Sequence, residues 1–142
     1  MKSRRNLLLF TVVMITLIIV VIYGFKKLRY DYKKAQILSC LASIGAKIQA
    51  QLRQDDNVTF INYYDNWKDF DVAGVESVLH AKNYLTDLDC MGLSADGVLF
   101  DPWGRIVQMK AQKIPSGIVV ILRSAGADGT FGTKDDVRWP SP

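Results

Sequence analysis

Hydrophobic and polar positions alternate very differently along this chain. Leu7 to Tyr23 read LLLFTVVMITLIIVVIY, a run without charge whose only polar groups are Thr11, Thr16 and the Tyr23 hydroxyl. A helix over it spans roughly 25 Å at about 1.5 Å per residue, near the lower limit for crossing a bilayer. A threonine in a helix bonds a carbonyl one turn back, so Thr11 and Thr16 are tolerated in lipid. Tyr23 and Phe25 stand where interfacial aromatics belong, and Lys26, Lys27 and Arg29 can reach the headgroups. A cleaved secretory signal would need small residues at a cut site after the run, and Val21-Ile22-Tyr23-Gly24-Phe25-Lys26 has no such site. A helix apolar on all sides hides only in a core much larger than this chain supplies. Ser3-Arg4-Arg5 faintly resembles a twin-arginine signal, but paired arginines are also the ordinary positive flank of an anchor. The reading is an uncleaved signal anchor over residues 1–25. Basic residues stand on both sides of it, and the short tail before it favours an N-inside orientation.

From Lys26 to Arg53 there is no proline and one glycine, Gly45. Ile37, Leu41, Ile44, Ile48 and Leu52 recur at steps of three and four, an amphipathic stripe. The helix is therefore expected to run from about residue 5 to 53, about 70 Å in all. Its continuation, residues 26–56, offers one face to a globular domain at 57–142. Residues 58–70 are aromatic and ambiguous. Asp71 to Leu85 predicts a second helix, capped by Asp71, with Val75, Val78, Leu79 and Leu85 on its apolar face. Ser94-Ala95-Asp96-Gly97 is turn chemistry, and Val98 to Phe100 a short strand. Asp101-Pro102-Trp103-Gly104 places Asp, Pro and Gly as a type I turn wants them. Arg105 to Ala111 reads as the returning strand. Ile114-Pro115-Ser116-Gly117 turns again, and Ile118 to Arg123 reads as a central strand. The fold class is α+β: a long N-terminal helix packed on a small antiparallel C-terminal sheet.

Charge narrows the function. The chain has 142 residues and a net charge of +4. Residues 1–34 hold eight of the eighteen basic side chains and one of the fourteen acidic ones, a balance of +7. The remainder has ten basic against thirteen acidic, a balance of −3. The basicity belongs to the flanks of the apolar run, so a nucleic-acid partner loses its support. The sequence also shows no constellation for catalysis or for a small-molecule substrate. His80 is the only histidine, and nothing marks it as more than a surface helix residue. Trp67, Trp103 and Trp139 read as core or domain-edge packing.

Residues 124–136 carry the one metal-like pattern. Asp128, Asp135 and Asp136 supply carboxylates, and Gly126, Gly129 and Gly132 permit the positive φ that turns carbonyls inward. Calcium wants six to eight such oxygens. Asp and Gly also dominate ordinary solvated turns. The spacing is not that of an EF-hand, whose closing glutamate is missing.

Asp101-Pro102-Trp103-Gly104, a strand, Ser124-Ala125-Gly126-Ala127-Asp128-Gly129 and Asp135-Asp136-Val137 together resemble the C-terminal region of the major (G-type) pseudopilins of bacterial type II secretion. In that family an Asp-Pro-Trp-Gly turn precedes a strand ending in a Ser-Leu-Gly-Ala-Asp-Gly loop, closed by an acidic cluster that binds calcium. The close match covers residues 98–139. The resemblance implies a pilin-like fold with calcium held by the side chains of Asp128, Asp135 and Asp136, and by carbonyls near Ala125 and Thr133. It implies a structural rather than enzymatic role, in a bacterial inner membrane with the C-terminal domain periplasmic. The expected partners are the membrane and other pseudopilin or secretion-system subunits, or further copies of this chain. Two family features are missing. The family has a Gly-Phe processing site before the apolar run and a glutamate five residues into it. Here Arg5-Asn6-Leu7 stands there, Gly24-Phe25 follows the run, and no acid precedes Asp31. Cys40 and Cys90 are either a disulfide clasping helix to sheet domain or two buried thiols.

Overall fold

The computed structural model describes residues 2–54, 66–78, 85 and 90–140. Its elements are α1 (Lys2–Gln54), β1 (Lys68–Asp69), α2 (Val72–Val78), β2 (Gly92–Leu93), β3 (Leu99–Phe100), β4 (Gln108–Ile114), β5 (Gly117–Ser124) and β6 (Val137–Trp139). Two compact units divide the chain, Met1–Tyr32 and Lys33–Pro142.

The first unit is helix alone. Its apolar window has a mean hydropathy of 2.4 and none of it is buried, so α1 is long and apolar enough to cross a membrane. Thr16 Oγ1 donates to the Val12 carbonyl at 2.9 Å, which satisfies that hydroxyl inside the helix.

The second unit packs the rest of α1 on an antiparallel sheet of order β1-β4-β5-β6. Ile37, Leu41, Ile44 and Ile48 are buried in one core with Met109, Ala111, Val120 and Leu122. The stripe foreseen on the helix is thus its buried face. Successive strand residues point to opposite sides, so Gln108, Lys110, Ile121 and Arg123 stand on the other face of the sheet. β6 pairs only with Leu122, Arg123 and Ser124, so the rest of β5 has no strand on that side. Gln49 of α1 fills the gap: its Nε2 donates to the Ile118 carbonyl at 2.8 Å, and its Oε1 accepts the Val120 N–H at 3.3 Å. Gly45 lets the Trp139 ring lie directly on α1, where any Cβ would overlap the ring.

Three further ties fasten α1. Lys33 Nζ donates to the Pro102 carbonyl at 2.9 Å, and Gln36 Nε2 to the Cys90 carbonyl at 3.2 Å. Cys40 and Cys90 form a disulfide, with Cα atoms 6.1 Å apart. The two cysteines are therefore a clasp and not two free thiols.

Several elements differ from expectation. The returning strand starts at Gln108 rather than Arg105 and runs on to Ile114. Arg105 is spent closing the preceding turn, since Asp101 N–H donates to its carbonyl at 2.8 Å. The second helix holds over Val72–Val78, with Asp71 Oδ1 accepting the Ala73 N–H at 3.1 Å as a cap. Leu85 lies in a turn, and residues 79–84, with Leu79 and His80, lie outside the described residues. So do residues 55–65, including Asp55-Asp56-Asn57. The short strands β1, β2 and β6 were not anticipated. The hairpin at Ile114–Gly117 and the central place of β5 agree with expectation.

Candidate functional site

β5 delivers the chain to Ser124, where the acidic loop begins. Ser124 is wholly buried and Asp101 nearly so. The Ser124 hydroxyl donates to Asp101 Oδ2 and accepts the Gly126 N–H at 3.0 Å. Asp101 Oδ1 in turn accepts the N–H of Trp103 at 2.9 Å and of Arg105 at 2.8 Å. One buried carboxylate thus organises the Asp-Pro-Trp-Gly turn and, through Ser124, the first residues of the loop. A buried carboxylate needs such donors, because charge left unbonded in a core is costly.

The loop closes on itself next. Gly126, Gly129 and Gly132 all take positive φ, at 65°, 69° and 92°. At Gly126 this is compulsory twice over, because a Cβ there would also collide with the Asp135 carbonyl. The two ends of the loop therefore touch at Gly126 and Asp135.

The residues expected to ligate a cation fall as follows. Ala125 is buried just past β5. Asp128 is exposed near the tip, where its Oδ1 accepts the Thr130 N–H at 2.9 Å. That bond, then the Thr133 hydroxyl and the charge of Arg105, hold its carboxyl below the usual carboxylate range. The Thr133 carbonyl accepts the Asp136 N–H at 3.3 Å, and its hydroxyl accepts the Asp135 N–H at 3.3 Å. Asp136 is buried along its side chain, at 5% exposure. Its Oδ2 accepts the Gly132 N–H at 2.9 Å and pairs with Arg138 at 3.0 Å. Its Oδ1 is buried with no hydrogen-bond partner. An orphaned carboxylate oxygen of this kind is rare and fits a cation. Among the described residues no three His, Cys, Asp or Glu side chains gather closely enough to hold a metal ion. The structure thus brings Ala125, Asp135 and Asp136 to the closed base of the loop but does not gather the three carboxylates.

The sequence carries little signal for some residues here. The Arg123 guanidinium lies 4.1 Å from the Phe131 ring centroid and 3.8 Å from that of Trp67. Burial, then the neighbouring Arg138, push its pKa down, and Asp136 partly opposes them. A charge ending the apolar strand Ile118–Leu122 was the available hint. Asp101 was legible only as a turn residue, since its link to Ser124 spans 23 positions. Beside the loop lies an open cleft of about 370 Å³, walled by Phe100, Arg105, Ile106, Gln108 and Phe131.

Comparisons with protein-family models, curated proteins and solved structures find no match for this chain.

Proposed function

We propose that this protein is a membrane-anchored, pseudopilin-like structural subunit or accessory component of a type II secretion or type IV pilus-like system, with a calcium-stabilised periplasmic domain. One observation carries the reading. The two motifs behind the resemblance, Asp101–Gly104 and Ser124–Asp136, form one unit through the buried Asp101–Ser124–Gly126 chain. The pilin-like arrangement of long helix and small antiparallel sheet supports it. The Cys40–Cys90 disulfide suits an oxidising compartment such as the periplasm. Bound calcium would supply positive charge to the Asp136 oxygen that lacks a partner. Because it would bind only the folded loop, it would raise stability by mass action.

A second reading is a tethered binding module that uses the same fold and never polymerises. The missing glutamate favours it, since the apolar run has no acid to neutralise a neighbour's freed N-terminus. Cross-linking of the full chain in cells separates the two. Ladders of self-adducts support assembly, and a single heterologous adduct supports the tether. Calcium is tested by the melting temperature of the full chain in detergent with and without the ion. Asp136→Ala should abolish the calcium response, and a response of unchanged size in that variant would remove the site.

A further inference from the structure

The apolar character of α1 outlasts its uncharged run. Beyond Tyr23, Phe25 and Leu28 are each 67% exposed and Tyr32 is 72% exposed. Val21, Phe25, Leu28 and Tyr32 follow at steps of four, three and four, so they form one stripe that continues the run. Lys26, Lys27 and Arg29 stand about 70–130° around the helix from that stripe. All three are exposed, and Asp31 is the one acid in α1. An apolar stripe beside a basic ridge is the pattern of a helix seated at a charged bilayer surface. The buried residues of α1 begin only at Ile37, so the core of the second unit does not use this stripe.

Length gives the same placement. The run from Leu7 to Tyr23 spans roughly 25 Å, short of a hydrocarbon core of about 30 Å. Carried on to Tyr32, the helix spans about 39 Å, close to a bilayer with its headgroup layers. In the N-inside orientation Lys26, Lys27 and Arg29 lie on the far side, where basic residues oppose insertion. Anionic headgroups at that surface would offset them. We propose that residues 25–32 are a binding site for anionic phospholipid where α1 leaves the bilayer. Phe25, Leu28 and Tyr32 lie against the upper acyl chains, and Lys26, Lys27 and Arg29 hold the phosphodiester. A zwitterionic lipid carries its own ammonium, which competes for that phosphate, and an anionic lipid does not. Free phosphate has no chain to cover the stripe. A second anchored copy would lie at the same depth and set the same three cations against their equivalents, with only Asp31 to offset them. The inference rests on the membrane-anchor reading and names the lipid class that the anchor selects.

The test uses the full chain carrying the photocrosslinker p-benzoylphenylalanine at Leu28. The protein is reconstituted in vesicles of four parts phosphatidylcholine to one part phosphatidylglycerol and floated with them. After irradiation the adducts are identified by mass. The expected product is one chain joined to one phospholipid, with phosphatidylglycerol enriched about threefold over its mole fraction. In the combined variant Lys26→Gln, Lys27→Gln and Arg29→Gln the lipid adducts should persist without that enrichment. Raising sodium chloride to about 1 M should reduce the enrichment in the protein with its basic residues intact, so the test stands even if the variant fails to insert. Inorganic phosphate should reduce it no more than sodium chloride of equal ionic strength. Phosphatidylglycerol captured only at its mole fraction overturns the site and leaves the anchor standing. Chain-to-chain adducts, a lack of lipid adducts, or specific displacement by phosphate also overturn it. A chain that does not float with the vesicles overturns the anchor reading as well.

Discussion

Between α1 and the sheet, Ile37, Leu41, Ile44 and Ile48 are each at most 2% exposed, and their neighbours Met109, Val120 and Leu122 are fully buried. In the loop of residues 125–136, Asp128, Gly129 and Thr130 stand in water. The first region is held by many small apolar contacts that act together. The second is held by single polar links, each with one donor and one acceptor. Apolar burial degrades gradually as contacts are lost, whereas a polar link fails when one partner goes. Substitutions that break one region should leave the other's character visible.

The largest effect is expected where the apolar interface is also covalent. The Cys40–Cys90 bond closes a loop of 50 residues. Closing such a loop reduces the entropy of the unfolded chain, worth about 4 kcal/mol in the loop-entropy model. Cys40→Ser with Cys90→Ser should therefore lower stability by about 2–4 kcal/mol in urea denaturation, with the transition still cooperative. A loss of cooperativity would mean that the apolar interface does not hold α1 on the sheet without the bond.

Asp101→Ala attacks the join between the two regions. It strips acceptors from the Trp103 and Arg105 N–H groups and from the buried Ser124 hydroxyl. Leaving these three donors without their acceptor, the Ser124 hydroxyl wholly buried, should cost about 3 kcal/mol. Ser124→Ala removes only the loop half of the chain, leaving the turn bonds of Asp101 in place, and should cost about half as much. Thermal melts of both variants check the ratio. Equal losses would show that the turn, and not the loop, depends on little from this carboxylate.

Gly45→Ala sharpens the apolar side. A methyl there meets the Trp139 ring, so helix and ring must separate. Overpacking of this kind costs about 1–3 kcal/mol, and the lower part of that range is expected because Trp139 sits at the sheet's edge on the three-residue strand β6. The intrinsic helix preference of alanine offsets about 1 kcal/mol of the cost. Denaturation midpoints measure the balance, and a more stable variant would contradict the close approach.

How much of this was legible in the sequence follows the same division. The apolar run is long and uncharged and the stripe from Ile37 to Leu52 is periodic, so the helix is legible nearly to its end. The strand Ile118–Arg123 was read because β-branched residues cluster in it, and the turns because Asp, Pro and Gly mark them. β1 and β2 have two residues each, too few for any period to register. The start of β4 was misplaced because Arg105 bonds backward into its turn, which no alternation of side chains records. The loop's composition suggested a cation, but composition does not report where carboxylates point. Asp128 caps Thr130 at the tip and Asp136 turns inward, two fates for identical side chains. Gly45 read only as a tolerated helix glycine, because its reason lies 94 positions away at Trp139.

The smallest effect separates Asp128 from Asp136. Asp128 is fully exposed, and the Thr130 N–H, the Thr133 hydroxyl and Arg105 favour its charged form. Its folded pKa is therefore below the unfolded value of about 3.9. The unfolded chain binds more protons through that interval, so stability rises with pH there. The contribution is complete above the unfolded pKa and disappears as pH falls through the folded one. Asp128→Asn keeps an oxygen for the Thr130 N–H but does not titrate. In chelator, the variant should melt close to the original protein at neutral pH and show a flatter decline below about pH 4. Melting temperatures across that range measure the slope. An unaltered acid slope would mean that Asp128 gains nothing from its loop contacts. In that case the polar links that shape the tip would be no firmer than those of an ordinary solvated turn.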